Sequence, residues 1–320
     1  MIYCLAHHII SPLGDGSRAN WEAVQAGRSG LKYYTDRFKD VEPFCASLFD
    51  TPQAFVPLCI HSAKQAIEEA QIDPASKEVV FILSTTKGDN LDLITPAQKI
   101  AAHFGNPNAP IVVSNACTSG VCAQITAKRL LEARLYKHAI VIGCDIQTQF
   151  IVSGFQAFKA LSDEPCLPFS ENRKGLNLGE AAATIIYSCQ HSVFSNQTLW
   201  GLVAGSIHND ANHISAPSRT GEGAYRCLQD VLQGVQPEEI DLLGVHGTAT
   251  PYNDAMEQVA IERAGLQAVP ISALKPYFGH TMGTAGVLET IICMLTAKKQ
   301  FIKMLSGFGG INAAIRVQCE

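Results

Sequence analysis

Ile111-Val-Val-Ser-Asn-Ala-Cys-Thr-Ser-Gly120 opens as a β-branched strand of the buried kind, breaks into small residues, and passes at once into an amphipathic helical stretch over 118–134. A strand that feeds directly into a helix is the unit of an α/β fold, and the turn between them is where such folds present reactive side chains. Cys117 occupies that turn. A helix N-terminus leaves N–H groups unpaired and carries about half a positive charge, so a thiol there is biased toward the thiolate that attacks thioesters. Ala116, Thr118, Ser119 and Gly120 leave room around the sulfur. The competing reading is an inert core cysteine, the usual fate of a thiol in a chain that holds eleven of them.

The same alternation extends in both directions. Strands are expected at 2–5, 78–84, 111–114, 139–143 and 181–188, and helices at 17–26 (with Ser17 as N-cap), 57–70, 95–104 and 118–134. The second half repeats it, with strands at 199–207, 241–245, 271 and 313–318 and helices at 221–232, 254–264 and 282–298. Such alternation implies parallel strands joined by helical crossovers, an α/β class, and two similar halves descended from a duplication, 1–190 and 191–320. Gly279-His-Thr-Met-Gly-Thr-Ala-Gly286 opens a helix in the second half as the Cys117 turn does in the first. A pseudo-twofold would bring those helix starts, and so Cys117 and His280, together; alternatively the glycines serve only close helix packing.

At 320 residues, 47% apolar and 17% charged, the chain can bury one large core or two packed halves. It begins without a basic leader, and no apolar run approaches the roughly 18 residues that span a bilayer, so no membrane partner and a cytoplasmic location are expected. The cysteine count is odd and holds no C-x-x-C pair, which fits reduced thiols. A net charge of −5 and a pI near 6.1 argue against nucleic acid.

His246 ends the strand Leu242-Leu-Gly-Val-His246 and opens the loop Gly247-Thr-Ala-Thr-Pro-Tyr-Asn-Asp254, at the carboxyl end of a strand where open α/β sheets bind ligands. His7, His8, His61, His103, His138 and His191 have no such placement and read as structural or surface residues. His208, Asp210 and His213 are spaced like chelating residues, but no further ligand is evident and no metal is assigned. The glycines at 307, 309 and 310 lack the context of a phosphate-binding loop.

Ala-Cys-Thr-Ser-Gly around Cys117, His-Gly-Thr-Ala-Thr-Pro-Tyr-Asn-Asp from His246, Lys275-Pro-Tyr-Phe-Gly-His280 and Gly307-Phe-Gly-Gly-Ile-Asn312 together resemble the β-ketoacyl-ACP synthases of the thiolase superfamily, in the family's order. Ile10-Ser-Pro-Leu-Gly14, Pro168-Phe-Ser, Leu178-Gly-Glu180 and 210–217 extend the likeness across nearly the whole chain. Histidine at 280, where initiating synthases carry asparagine, resembles the elongating Cys-His-His branch.

The resemblance implies a thiolase-like fold with two pseudo-twofold halves in αβαβα layers. It further implies condensation of an acyl chain held on Cys117 with malonyl-ACP, in fatty acid or polyketide-like synthesis, without a cofactor. By the same likeness, His246 and His280 act as neutral N–H donors, Lys275 and Glu289 form a polar network behind them, and the N–H groups of Cys117 and Phe308 make an oxyanion hole. Phe308 matches a mobile aromatic gate, Thr248 and Thr250 positions that bind the pantetheine arm, and Lys159 a basic contact for an acidic carrier protein, with Arg173, Lys174 and Arg219 as weaker candidates. Family members form homodimers, and pairing with another ketosynthase subunit is open. The intervals 84–117 and 298–307 are shorter than usual, Met304-Leu-Ser306 replaces Asn-Ser-Phe, and Ser170 replaces aspartate, which suggests a more open acyl channel for an unusual or bulky group. The alternative is a non-catalytic subunit of the chain-length-factor kind; such subunits usually replace the nucleophile. A thiolase would need a second catalytic cysteine that 307–312 does not supply.

Overall fold

A computed structural model describes residues 1–190 and 199–320. His191 and the start of the expected second half lie outside the described residues. The first half forms β1 (Ile2–Ser11), β2 (Gly14–Asp15), α1 (Ser17–Gln25), β3 (Lys32–Tyr34), β4 (Phe44–Ser47), α2 (Phe55–Ala70), β5 (Val79–Ser84), α3 (Ile94–His103), β6 (Ile111–Val113), α4 (Ser119–Glu132), β7 (His138–Asp145), α5 (Gln149–Ala157), β8 (Leu178–Gly179) and β9 (Ala181–Ser188). The second supplies β10 (Trp200–Asn209), α6 (Glu222–Val231), β11 (Leu242–Gly244), α7 (Pro251–Arg263), β12 (Ile271–Ser272), α8 (Lys275–Phe278), a 3-10 turn at Met282–Thr284, α9 (Ala285–Thr296), β13 (Gln300–Gly307) and β14 (Ile311–Cys319).

Each half repeats one ladder. In the first the order is β1-β9-β7-β5-β6, and in the second β10-β14-β13-β11-β12. The pairings correspond step by step: antiparallel, antiparallel, parallel, parallel. The half-sheets join where β1 meets β10, with Ile2 opposite Leu202 and Tyr3 opposite Gly201. Three apolar clusters fill the spaces between layers. One sets α2 and α3 against β5, β7 and β9, one sets α6 and α7 against β11, β13 and β14, and the largest surrounds α4 and α9 between the two half-sheets. The expected αβαβα layering is therefore present, and the correspondence places the turn after β6 opposite the turn after β12.

Several expectations need correction. Alternation predicts parallel pairing, yet half the ladder steps in each half are antiparallel. The reason is plain at β13 and β14, which a tight turn at 308–310 joins as a hairpin, and neighbours joined so closely must run antiparallel. Strand β13 itself falls in a stretch read only as a shortened interval. It is buried on both faces and interrupted by Lys303, so neither alternation nor an apolar run marks it. Helix α5 was not expected either, since Ile151, Val152, Ser153 and Gly154 are weak helix formers; Thr148 caps it by accepting the Ile151 N–H. The small β3-β4-β8 sheet was also missed. Gly16 rather than Ser17 stands at the N-cap of α1, and the Ser17 hydroxyl instead donates to the His7 carbonyl.

Candidate active site

Cys117 sits in a turn held from within. The Thr118 hydroxyl donates to the Asn115 carbonyl at 2.7 Å, and the Ser119 hydroxyl donates to the Ala116 carbonyl at 2.6 Å while accepting the Asn115 N–H. Ala116 lies in the left-handed region at φ 47°, a conformation that costs a non-glycine residue about 1 kcal/mol or more and turns the next side chain inward. Beyond the turn α4 meets α9 at two glycines. A Cβ on Gly120 would come within 2.8 Å of Gly286 Cα, so only hydrogen at both positions lets the helix starts converge. Convergence and close packing, posed as alternatives from sequence, are one arrangement.

The three residues it gathers are nearly buried: Cys117 is 6% exposed, His246 3% and His280 1%. The Cys117 sulfur and one ring nitrogen from each histidine lie within 4.8 Å of one another, and the imidazoles meet edge to face with centroids 5.1 Å apart. His280 Nδ1 accepts the Met282 N–H, so a neutral ring carries its proton on Nε2, a buried atom without a protein partner. His246 Nδ1 is likewise buried and unpartnered. Burial, then the cation of Lys275, holds both imidazoles well below their ordinary pKa, so both are neutral at pH 7.

Cys117 departs from expectation. Burial pushes its thiol up to about 11, against opposing pulls from Lys275 and from the backbone N–H groups of Cys117 and Phe308. The free thiol is thus protonated, because desolvation of sulfur outweighs the helix terminus. The same two N–H groups are the expected oxyanion donors, and each favours the thiolate.

Lys275 is fully buried and pairs with Glu289 Oε1 at 2.6 Å, while Lys303 approaches Glu289 Oε2 at 2.5 Å. Burial lowers Lys275 and Glu289 opposes that; burial also resists ionisation of Glu289, but the two lysines prevail and hold its carboxyl below the usual range. The solvated alternatives for Lys275 and Glu289 are excluded.

A cavity of about 430 Å³ runs from Cys117, His246 and His280 past Thr248, Thr250 and Phe308 to exposed Lys159 and Tyr252. The hydroxyls of Thr248 and Thr250 bond each other at 2.8 Å. Phe308 is 39% exposed and stacks on Phe155 with centroids 5.8 Å apart, with Phe158 at 5.6 Å on the other contact. Of the other basic candidates, Lys174 lines the cavity but is paired with Glu164, Arg173 is tied to the Ser170 carbonyl, and Arg219 is exposed. His208 pairs with Asp230, Asp210 accepts the Ser218 and Gly223 N–H groups, and His213 accepts those of Ser215 and Ala216, so the three do not converge.

Sequence reasoning missed four contributors. Glu257 is fully buried, accepts the His246 and Gly247 N–H groups, and is raised to about 7 by burial. Asp145 ends β7 and accepts the Gly283 N–H at 2.7 Å beside His280, together with the Thr85 and Thr86 hydroxyls. Lys303 and Phe155 came from elements that were not foreseen. The internal duplication was the signal available for Lys303, because β7 in the first half requires a counterpart in the second.

Sequence models of the β-ketoacyl synthase N-terminal and C-terminal domains match residues 94–188 and 201–308. The 3-oxoacyl-[acyl-carrier-protein] synthase 2 of Coxiella burnetii is 30% identical over 91% of this chain and 84% of its own length. That of Staphylococcus aureus is 26% identical over 90% and 86%. Among solved structures, one chain of the complex between a ketosynthase and its chain length factor from Xenorhabdus doucetiae superposes with a TM-score of 0.90 at 23% identity, covering 100% of this chain and 98% of that one. A β-ketoacyl synthase from Burkholderia phymatum gives 0.87 at 19%, over 99% and 98%, and both share the thiolase-like fold. With a matching model on each half, and a relative at this identity aligned over most of both chains, the chain belongs to the β-ketoacyl synthase family.

Proposed function

We propose that this chain is a β-ketoacyl-ACP synthase of the Cys-His-His kind, joining an acyl group held on Cys117 to a malonyl thioester on acyl carrier protein, in fatty acid or polyketide-like synthesis. The observation that carries it is the convergence of one sulfur and two neutral imidazoles within 4.8 Å on the wall of one cavity. In the first half-reaction the Cys117 sulfur attacks the acyl thioester carbonyl, the N–H groups of Cys117 and Phe308 hold the oxyanion, and the thiol proton leaves with the departing pantetheine sulfur. In the second, malonyl loses carbon dioxide and the enolate oxygen accepts N–H from His280 Nε2 and from His246. The enolate carbon attacks the acyl carbonyl, and Cys117 departs as a thiolate that takes up one proton from solvent.

Thr248 and Thr250 are read as holding the pantetheine arm, Phe308 as gating the acyl pocket against Phe155, and Lys159 as meeting the acidic carrier at the mouth. We assign the nucleophile to 1–190, the two histidines to 191–320, and a more open acyl channel to the shortened loops. Eleven unpaired cysteines suit a cytoplasmic location, and among the described residues no helix is long and apolar enough to cross a membrane. Strand β6 ends the sheet as a short apolar edge with half-buried Ile111, Val112 and Val113, which suits strand addition from a second copy or from another ketosynthase subunit.

Purified protein incubated with acyl-ACP is expected to gain one acyl group on Cys117 by mass spectrometry, and with malonyl-ACP to release carbon dioxide. Absence of both sinks the reading in favour of a chain-length-factor-like scaffold.

A further inference from the structure

The peptide unit that joins Val245 to His246 is held at both ends by buried ionisable side chains. Its N–H donates to Glu257, and its carbonyl accepts from the Lys303 ammonium at 2.7 Å, with the Gly244 carbonyl at 3.3 Å from the same nitrogen. Lys303 is fully buried, and its third oxygen neighbour is Glu289 Oε2 at 2.5 Å. The other oxygen of Glu289 holds Lys275, which opens α8, the four-residue helix that ends two residues before His280. A line of hydrogen bonds and ion pairs therefore runs from Glu257 through the His246 peptide to Lys303, Glu289 and Lys275, linking the two segments that carry the histidines.

The slot for Lys303 is shaped for it. A Cβ on Gly244 would come within 2.9 Å of Lys303 Cδ and 2.8 Å of Cys293 Sγ, so the bare glycine is what lets the lysine stem pass beneath β11. Burying an ammonium forfeits its hydration, and an apolar side chain in a strand flanked by Ile302 and Met304 would be at least as stable. Fold stability alone therefore gives no account of a lysine here, whereas the grip on the His246 peptide does.

We propose that Lys303 is a positioning residue for the carbon–carbon bond-forming half-reaction: it fixes His246 against His280 and takes no part in acylating Cys117. The inference rests on the synthase reading. Lys303→Met leaves Glu289 paired with Lys275 and Glu257 still holding the His246 N–H, so the fold is expected to persist, checked by circular dichroism and melting. In that variant the kcat for malonyl-ACP decarboxylation should fall about 10- to 100-fold, the loss expected when a reacting group is misplaced by about an ångström, with KM unchanged and Cys117 acylation within about twofold of the parent. Lys303→Gln, which can still donate to the Val245 carbonyl, should recover part of the loss, and it carries the same test if the methionine variant fails to fold. Unchanged decarboxylation, or equal loss of both half-reactions, overturns the proposal. If the parent protein performs neither half-reaction, the synthase reading falls. Positioning is then judged from the ring resonances of His246 and His280: displaced in Lys303→Met they uphold it, unmoved they overturn it.

Discussion

Cys117 shows how far a local sequence argument reaches. The strand-to-helix turn places the sulfur where helix N–H groups favour a thiolate, but the structure buries that sulfur almost completely, and burial wins. The sign of the consequence is definite: with the thiol at about 11, alkylation of Cys117 by iodoacetamide should climb about tenfold per pH unit and still be rising at pH 9. A plateau below pH 8 would restore the thiolate reading. Lys275 and Glu289, ambiguous as sequence, are settled by zero and 2% exposure. Their burial was not legible because it depends on Lys303, a partner fourteen residues beyond Glu289 and on another element.

Elements bring these residues together, and two glycines set the distance. Gly120 and Gly286 stand where α4 crosses the start of α9, and a Cβ at 286 would lie 2.6 Å from the Gly120 carbonyl carbon, a backbone atom with nowhere to move. Gly286→Ala should therefore destabilise the fold by about 1–3 kcal/mol despite alanine's better helix propensity, read as a lower melting temperature. No change would mean the crossing is loose. Long elements with a single exposed face, such as α2 and α6, were legible within two residues at either end. Helix α5 and strand β13 were not, since one is built of weak helix formers and the other is buried on both faces around a lysine.

For the molecule as a whole, the neutral buried histidines have a thermodynamic cost in acid. Their folded pKa lies well below 6.5, so as pH falls through 6.5 the unfolded chain gains protons that the folded chain refuses, and stability is lost. Glu257, raised to about 7, works the other way between pH 4.5 and 7, offsetting part of that loss. A His246→Asn, His280→Asn double variant should lose less melting temperature than the parent between pH 7 and 5; an equal fall in both would contradict the assignment. The proposed strand addition at β6 is tested by Ile111→Lys, which puts a charge on that edge: a parent that sediments as a dimer should become monomeric, and a parent that is already monomeric overturns the proposal. An unaltered oligomer would place the interface elsewhere. By itself the sequence determined the α/β class, because that rests on local periodicity read within a few residues, and its motifs singled out Cys117, His246 and His280 through their resemblance to the family. Only the tertiary structure decided the antiparallel steps, the protonated thiol and the lysine–glutamate–lysine line behind the histidines, because pairing direction and desolvation depend on which distant segments come to lie side by side.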